Sequence, residues 1–158
     1  MSFQAQLSQQ IELLQQLHRD SFLQTLNQAI ELMSDCLQQQ RPLLICGNGG
    51  SAADALHISG DMVGRFLRER KALNVICLNA NVSALTAWAN DYAYDSAFAR
   101  QVEAHGQPGG VCWVISTSGN LPNALQALQK AKDLEMQTIA LTGKGGGKLA
   151  TVADLLIE

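Results

Sequence analysis

Short apolar runs, separated by turns and helical patterns, constrain this sequence more than any other feature. Leu43–Cys46 (LLIC), Asn74–Asn79 (NVICLN), Val111–Ser116 (VCWVIS) and Gln137–Thr142 (QTIALT) show no apolar/polar alternation, and Asp154–Glu158 (DLLIE) adds a fifth run. Successive side chains on a strand point to opposite faces, so a run that is apolar throughout needs cover on both. Helical patterns fill the gaps: from about Ser51, over Val82–Ala89, Tyr94–His105 and Pro122–Glu135. Strands alternating with helices in this way predict an α/β fold, a three-layer sandwich around a five-stranded parallel sheet of Rossmann-like type with right-handed crossovers.

Ahead of the sheet, residues 1–40 read as helix. Leu7, Ile11, Leu14 and Leu17 make one apolar stripe and Phe22, Leu26, Ile30, Met33 and Leu37 a second. The polar stretch His18–Ser21 separates them, with Asp20 or Ser21 as the expected cap of the second helix. The expectation is a single domain over 1–158, with N-terminal helices at 1–40 and the parallel core at 41–158. Helices outside the α/β unit suit packing on another copy of the chain.

Composition narrows the function classes. A net charge of −3 over 158 residues gives no general nucleic-acid or anionic-membrane footprint. No apolar run approaches the roughly 20 residues of a membrane helix. The polar, Gln-rich start MSFQAQLSQQ does not read as a secretory signal. Cys36, Cys46, Cys77 and Cys112 form no CxxC pair, and three of them lie in apolar runs. They are expected to be buried free thiols in a reducing cytoplasm.

In an open parallel sheet, ligands bind at the carboxyl ends of the strands. That rule selects GNGGS after the first strand, LNAN after the second, STSGN after the third and TGKGGGK after the fourth. Gly49 and Gly50 let the backbone of GNGGS come close to a ligand, and the following helix offers unpaired N–H groups. Asn48 and Ser51 add side-chain hydrogen bonds. The turn is not a dinucleotide fingerprint, because Ala52 stands where the third Gly belongs, and no GK[ST] follows as in a P-loop. Ser116, Thr117 and Ser118 form an uncharged anion cradle of hydroxyls and backbone N–H groups. Together the two loops point to a phosphorylated small molecule. The glycines and lysines of TGKGGGK read first as a flexible surface connection and second as a phosphate contact.

His57 and Asp61 share a helix face at i, i+4. By themselves they read first as a surface pair. Alternatively they are two metal ligands, or a proton-transferring carboxylate with an orienting histidine. Arg65, a further four residues on, is placed to pair with Asp61 or to reach a ligand. Asn90 and Asp91 end a helix and read as an Asx cap or turn.

GNGGSAADALHISGDMVGRF, ANDYAYD, STSGN and LTGKGGGKLATVAD, in this order and spacing, resemble the SIS (sugar isomerase) domain family, in its phosphoheptose isomerase group. The resemblance spans nearly the whole chain. It implies a homotetramer with sites between subunits, often zinc-bound. The reaction it implies interconverts sedoheptulose 7-phosphate and D-glycero-D-manno-heptose 7-phosphate, on the way to lipopolysaccharide heptose. By position it assigns substrate contacts to Asn48, Gly49, Gly50, Asn90, Asp91, Ser116, Thr117 and Ser118. It makes His57 a zinc ligand, and Asp61 both ligand and catalytic base. Ser51 and Arg65 join the substrate set.

The sequence departs from that pattern at three places. Asp61 stands where the family carries Glu, which sets the carboxylate back by roughly one C–C bond, and misplacement of about 1 Å can cost ~10²-fold in rate. Leu121 stands where STSGNS would place a hydroxyl, a hydrogen bond worth about 1.5–3 kcal/mol when made to a charged group. The family's further helix, with a Gln and a His that complete the metal and acid/base set, has no counterpart up to Glu158. The competing expectation is a non-catalytic SIS module that binds a sugar phosphate or a protein such as a replication initiator.

Overall fold

The computed structural model describes residues 2–158. The sheet contains β1 (Leu43–Gly47), β2 (Val75–Cys77), β3 (Val111–Ser116), β4 (Gln137–Thr142) and β5 (Leu155–Ile157), all parallel, in the order β2-β1-β3-β4-β5. The helices are α1 (Phe3–Gln16), α2 (Asp20–Gln38), α3 (Gly50–Val63), α4 (Val82–Asp91), α5 (Ala97–His105) and α6 (Pro122–Asp133), with 3₁₀ turns at Tyr94–Ser96 and Gly147–Thr151.

The sheet explains why its strands do not alternate. Leu43, Ile45, Val111, Ile115 and Ile139 face Ala29 and Cys36 of α2 and Ala55 of α3. The intervening Leu44, Cys46, Cys112, Val114 and Ala140 face Phe98 and Val102 of α5 and Ala124, Ala127, Leu128 and Ala131 of α6. Both faces are dry, so both sets of side chains are apolar. All four cysteines are buried free thiols. Burial raises the Cys46 thiol well above its ordinary pKa and pushes Cys112 up to about 12, so both stay protonated and behave as small hydrophobes.

The N-terminal helices end close to where their stripes end. Ser2 Oγ accepts the Ala5 N–H at 3.3 Å and caps α1. The expected cap of α2 is not made: Arg19 holds the cap position with no side-chain bond, and Asp20 is the first helical residue. There its charge complements the positive end of the helix dipole instead. α2 packs on the sheet, whereas α1 buries no residue and leaves Leu7, Ile11 and Leu14 about half exposed. No helix is long and apolar enough to cross a membrane among the described residues.

From β1 the chain runs outward to β2, then returns across the sheet to β3 on the other side of β1. β1 leads into α3 on one face and β3 into α6 on the other. The crevice this opens lies at the carboxyl ends of β1 and β3, where a doubly wound sheet binds ligands.

Candidate functional site

GNGGS and STSGN flank that crevice. The β1 turn is shaped by close approach: a Cβ on Gly47 would sit 2.7 Å from the carbonyl carbon and oxygen of Ser51, so α3 starts tight against the strand end. Gly49 has φ +58°, in the left-handed region that favours glycine. β2 stops at Cys77, short of the expected Asn79, because Asn79 uses its side chain as a strand would use its backbone. Its Oδ1 accepts the Gly47 N–H at 3.1 Å, and its Nδ2 donates to the Gly47 carbonyl at 2.8 Å.

The STSGN turn is organised from within. Ser116 is 1% exposed, and its Oγ accepts the Gly119 N–H at 3.2 Å, so its hydroxyl shapes the loop. Thr117 and Ser118 are exposed, and Ser118 Oγ accepts the Asn120 N–H at 3.3 Å. Gly119, at φ +64°, lies directly on the backbone of Gly146.

That contact corrects the expectation for TGKGGGK. The Gly143 N–H donates to the Thr117 carbonyl (3.0 Å), the Lys148 N–H to Asn120 Oδ1 (3.0 Å) and the Leu149 N–H to the Gly119 carbonyl (2.9 Å). The segment is a buttress for the hydroxyl loop rather than a loose connection.

α3, launched by the β1 turn, carries the titratable pair. His57 Nε2 lies 3.5 Å from Asp61 Oδ2, with side chains 80% and 42% exposed. That separation is a loose polar contact, beyond the 2.7–3.2 Å range of a hydrogen bond. Arg65 does not pair with Asp61. Its Nε lies 4.0 Å from Glu69 Oε2, while Arg70 Nη2 donates to the Asp61 carbonyl at 3.0 Å.

Asn90 and Asp91 end α4 as expected, but as its last two helical residues, and Asn90 Nδ2 donates to Asp91 Oδ1 at 3.1 Å. The α4 cap is Asn81, whose Oδ1 accepts the Ala84 N–H at 3.0 Å. The end of α4 is pinned by Trp88, which stacks on Tyr92 at 4.2 Å and donates from Nε1 to Ser96 Oγ at 2.8 Å.

The structure thus joins the two cradle loops and sets His57 beside Asp61. Arg65 and the Asn90–Asp91 pair make their bonds elsewhere. Sequence reasoning passed over Asn79, Tyr94 and Asn123. Tyr94 OH donates to Asn48 Oδ1 at 2.9 Å, and Asn123 exchanges hydrogen bonds with Asn48 across the crevice. Their only trace in the sequence is that each is a polar residue beside a strand end or helix start.

Zinc is tested by the donor set. His57 and Asp61 provide one imidazole nitrogen and one carboxylate, whereas catalytic zinc ordinarily takes three protein ligands. Among the described residues no group of three His, Cys, Asp or Glu side chains could hold a metal ion. The residues of one chain do not fit a zinc site, and no step below runs through one. Two cavities of about 380 and 360 Å³ border α2, one reaching Leu156 and the other Asp154 and Leu155, and neither is lined by a candidate residue. In one chain the candidate site is an open surface crevice.

A turn-and-hydroxyl cradle at the switch point of a β2-β1-β3-β4-β5 parallel sheet defines a sugar-phosphate-binding α/β domain of the SIS type. The SIS domain model matches residues 6–143, and the chain belongs to the SIS domain family, on its phosphoheptose isomerase branch. A phosphoheptose isomerase of Helicobacter pylori is 51% identical over 134 residues, covering 85% of this chain and 70% of that relative. One of Crocosphaera subtropica is 44% identical over 148 residues, covering 94% and 76%. The solved phosphoheptose isomerase of Neisseria gonorrhoeae is 40% identical, with a TM-score of 0.89, covering 97% of this chain and 81% of its own.

Proposed function

We propose that the chain catalyses aldose–ketose isomerisation of a seven-carbon sugar phosphate, converting sedoheptulose 7-phosphate to D-glycero-D-manno-heptose 7-phosphate, the precursor of lipopolysaccharide heptose. The observation that carries this reading is the placement of an acid and a phosphate cradle on one rigid element. Asp61 lies on α3, whose first turn is the GNGGS loop, and that loop is bonded across the crevice to the helix following STSGN. Relatives named for the reaction, at 44–51% identity, support it.

The chemistry follows from the arrangement. The N–H groups of Ser51, Ala52 and Ala53 are bonded within the β1 turn, so Thr117 and Ser118, with the Asn48 amide at the mouth of that turn, hold the phosphate and fix the distance to the reacting end. Asp61 takes the proton from the carbon beside the carbonyl. The C–H electrons form the enediol double bond as the carbonyl oxygen gains a proton from water. The protonated Asp61 then returns its proton to the former carbonyl carbon, and the hydroxyl on the first carbon loses its proton to water and becomes the new carbonyl. His57 orients the Asp61 carboxylate from 3.5 Å.

Three further readings belong to this proposal. The chain works as a homotetramer. This is supported by the unburied apolar face of α1 and by the open crevice, which another copy would close. The protein is cytoplasmic, as four free buried thiols suit a reducing compartment. Its partner molecule is a sugar phosphate.

The test is turnover of sedoheptulose 7-phosphate by the purified protein, with Asp61→Asn as control. The expected result is turnover that falls by about 10²–10⁴-fold in the variant. A wild-type protein that binds the sugar phosphate without turning it over would instead establish the non-catalytic module.

A further inference from the structure

Asn123 is 2% exposed, in the first turn of α6, three residues beyond the loop that holds the hydroxyls. Its amide is fully engaged on the side that faces β1. Oδ1 accepts the Ala124 backbone N–H at 2.9 Å and Asn48 Nδ2 at 3.1 Å, and Nδ2 donates to Asn48 Oδ1 at 3.0 Å. Asn48 is 75 residues earlier in the chain, at the mouth of the β1 turn.

A reciprocal pair of amides could in principle form with both groups turned over. Here it cannot. A backbone N–H can only donate, so the atom of Asn123 facing Ala124 must be its oxygen. That fixes the other atom of Asn123 as nitrogen, and the pairing then fixes which atom of Asn48 is oxygen. Tyr94 OH takes the second lone pair of that oxygen at 2.9 Å. An amide has two acceptor sites and two donor hydrogens. Asn48 has therefore spent both acceptor sites and one donor, and one N–H remains.

We propose that Asn123 is a positioning residue that holds the Asn48 amide in one orientation, so that Asn48 offers the substrate a single N–H donor and no acceptor. The matching ligand group is an oxygen with a free lone pair, such as a phosphate, carbonyl or hydroxyl oxygen. A group that can only donate, such as an ammonium, finds no partner there. The orientation is set from the α6 side of the crevice and read out on the α3 side, so it forms only when both halves of the cradle are assembled. The kinetic consequence rests on the isomerase reading; the orientation itself does not.

Asn123→Asp isolates the orienting bond. The new carboxylate keeps an acceptor for the Ala124 N–H at a helix N-terminus, where negative charge is favourable. It loses only the donor to Asn48 Oδ1. With an oxygen opposite each of its atoms, the Asn48 amide has no orientation that satisfies both, so it is no longer held in one orientation and does not offer the substrate a fixed N–H. At about pH 8, where a carboxylate is ionised, Asn123→Asp is expected to keep a cooperative thermal transition but lose about 10²-fold in kcat/KM. In an Asn48→Ala background the same substitution should cost nothing further, since Asn123 acts only through Asn48.

Equal losses in the two backgrounds, or wild-type kcat/KM in the single variant, would overturn the proposal. Side-chain amide hydrogen exchange supplies a readout without turnover. In the wild type one Asn48 proton is protected and one exchanges freely, and in Asn123→Asp that difference is lost. The wild-type pattern retained in the variant would overturn the orientation claim. A wild-type protein with no turnover would overturn the isomerase reading alone.

Discussion

Gly119→Ala tests whether the Gly-rich segment after β4 is a buttress for the hydroxyl loop. A methyl at position 119 would fall on the Gly146 carbonyl group, 2.5 Å from its carbon, and 3.0 Å from Gly147 N. Ordinary contact begins at 3.4 Å, so the two backbones must separate by about 0.9 Å at the carbon alone. Neither side can yield by rotating a side chain, because both are backbone. The residue also holds φ +64°, which costs a non-glycine residue about 1–2 kcal/mol, and forced overpacking adds about 1–3 kcal/mol. At about 3 kcal/mol in total, a domain of this size loses about 6–12 °C in Tm. The displacement moves Thr117 and Ser118 relative to Asp61 by nearly 1 Å, so kcat/KM should fall by about 10²-fold. Differential scanning calorimetry and steady-state kinetics on the same preparation read both effects. Gly145→Ala is the control. It has φ +90° but nothing within 4 Å, so it carries strain of about 1–2 kcal/mol without displacing the loop, and kcat/KM should stay near wild type. A Gly119→Ala protein with wild-type Tm and wild-type kcat/KM would refute the reasoning.

The remaining predictions concern other parts of the molecule. Gly60 is an exposed α3 residue with open space where a Cβ would go, so Gly60→Ala should raise stability by about 0.5–1 kcal/mol in chemical denaturation. Asp61→Glu lengthens the proposed base by one methylene, and kcat is expected to rise. An unchanged or lower kcat would show that the backbone here is already set for the shorter acid. Asp154 is pulled upward by burial. That pull is outweighed by bonds from Lys132 Nζ (2.8 Å) and from Thr138 Oγ1 (2.7 Å) and N–H (3.0 Å), leaving its carboxyl below the usual range. A lowered folded-state pKa gives stability that is present at neutral pH and lost on acidification. Asp154→Asn should therefore melt lower than wild type at neutral pH, and the gap should close as pH falls below about 4, where the carboxylate protonates.

Much of the fold was legible because burial on both faces writes itself into consecutive residues. LLIC, VCWVIS and QTIALT read as strands because their inner residues are apolar on both faces, with polar residues only at or near the ends, such as Ser116 and Thr138. Glycine turns marked the strand ends for the same local reason, since Gly49 and Gly119 adopt positive φ. The cap of α2 and the end of β2 were misread because single polar residues can serve several bonds. Asp20 is helical rather than a cap, and Asn79 mimics a strand with its side chain.

The parallel α/β core, the glycine and hydroxyl loops at the strand ends and the i, i+4 spacing that puts His57 beside Asp61 are all written in the sequence. These rest on local periodicity and turn chemistry, which act over a few residues. Tertiary structure alone decided that Arg65 pairs with Glu69, that TGKGGGK supports STSGN, and that Asn123 grips Asn48. The last two join residues about 30 and 75 positions apart, through hydrogen bonds whose partners depend on strand order and on which face each loop leaves the sheet. No local pattern encodes that order. It is set by which arrangement buries both faces of the sheet at once.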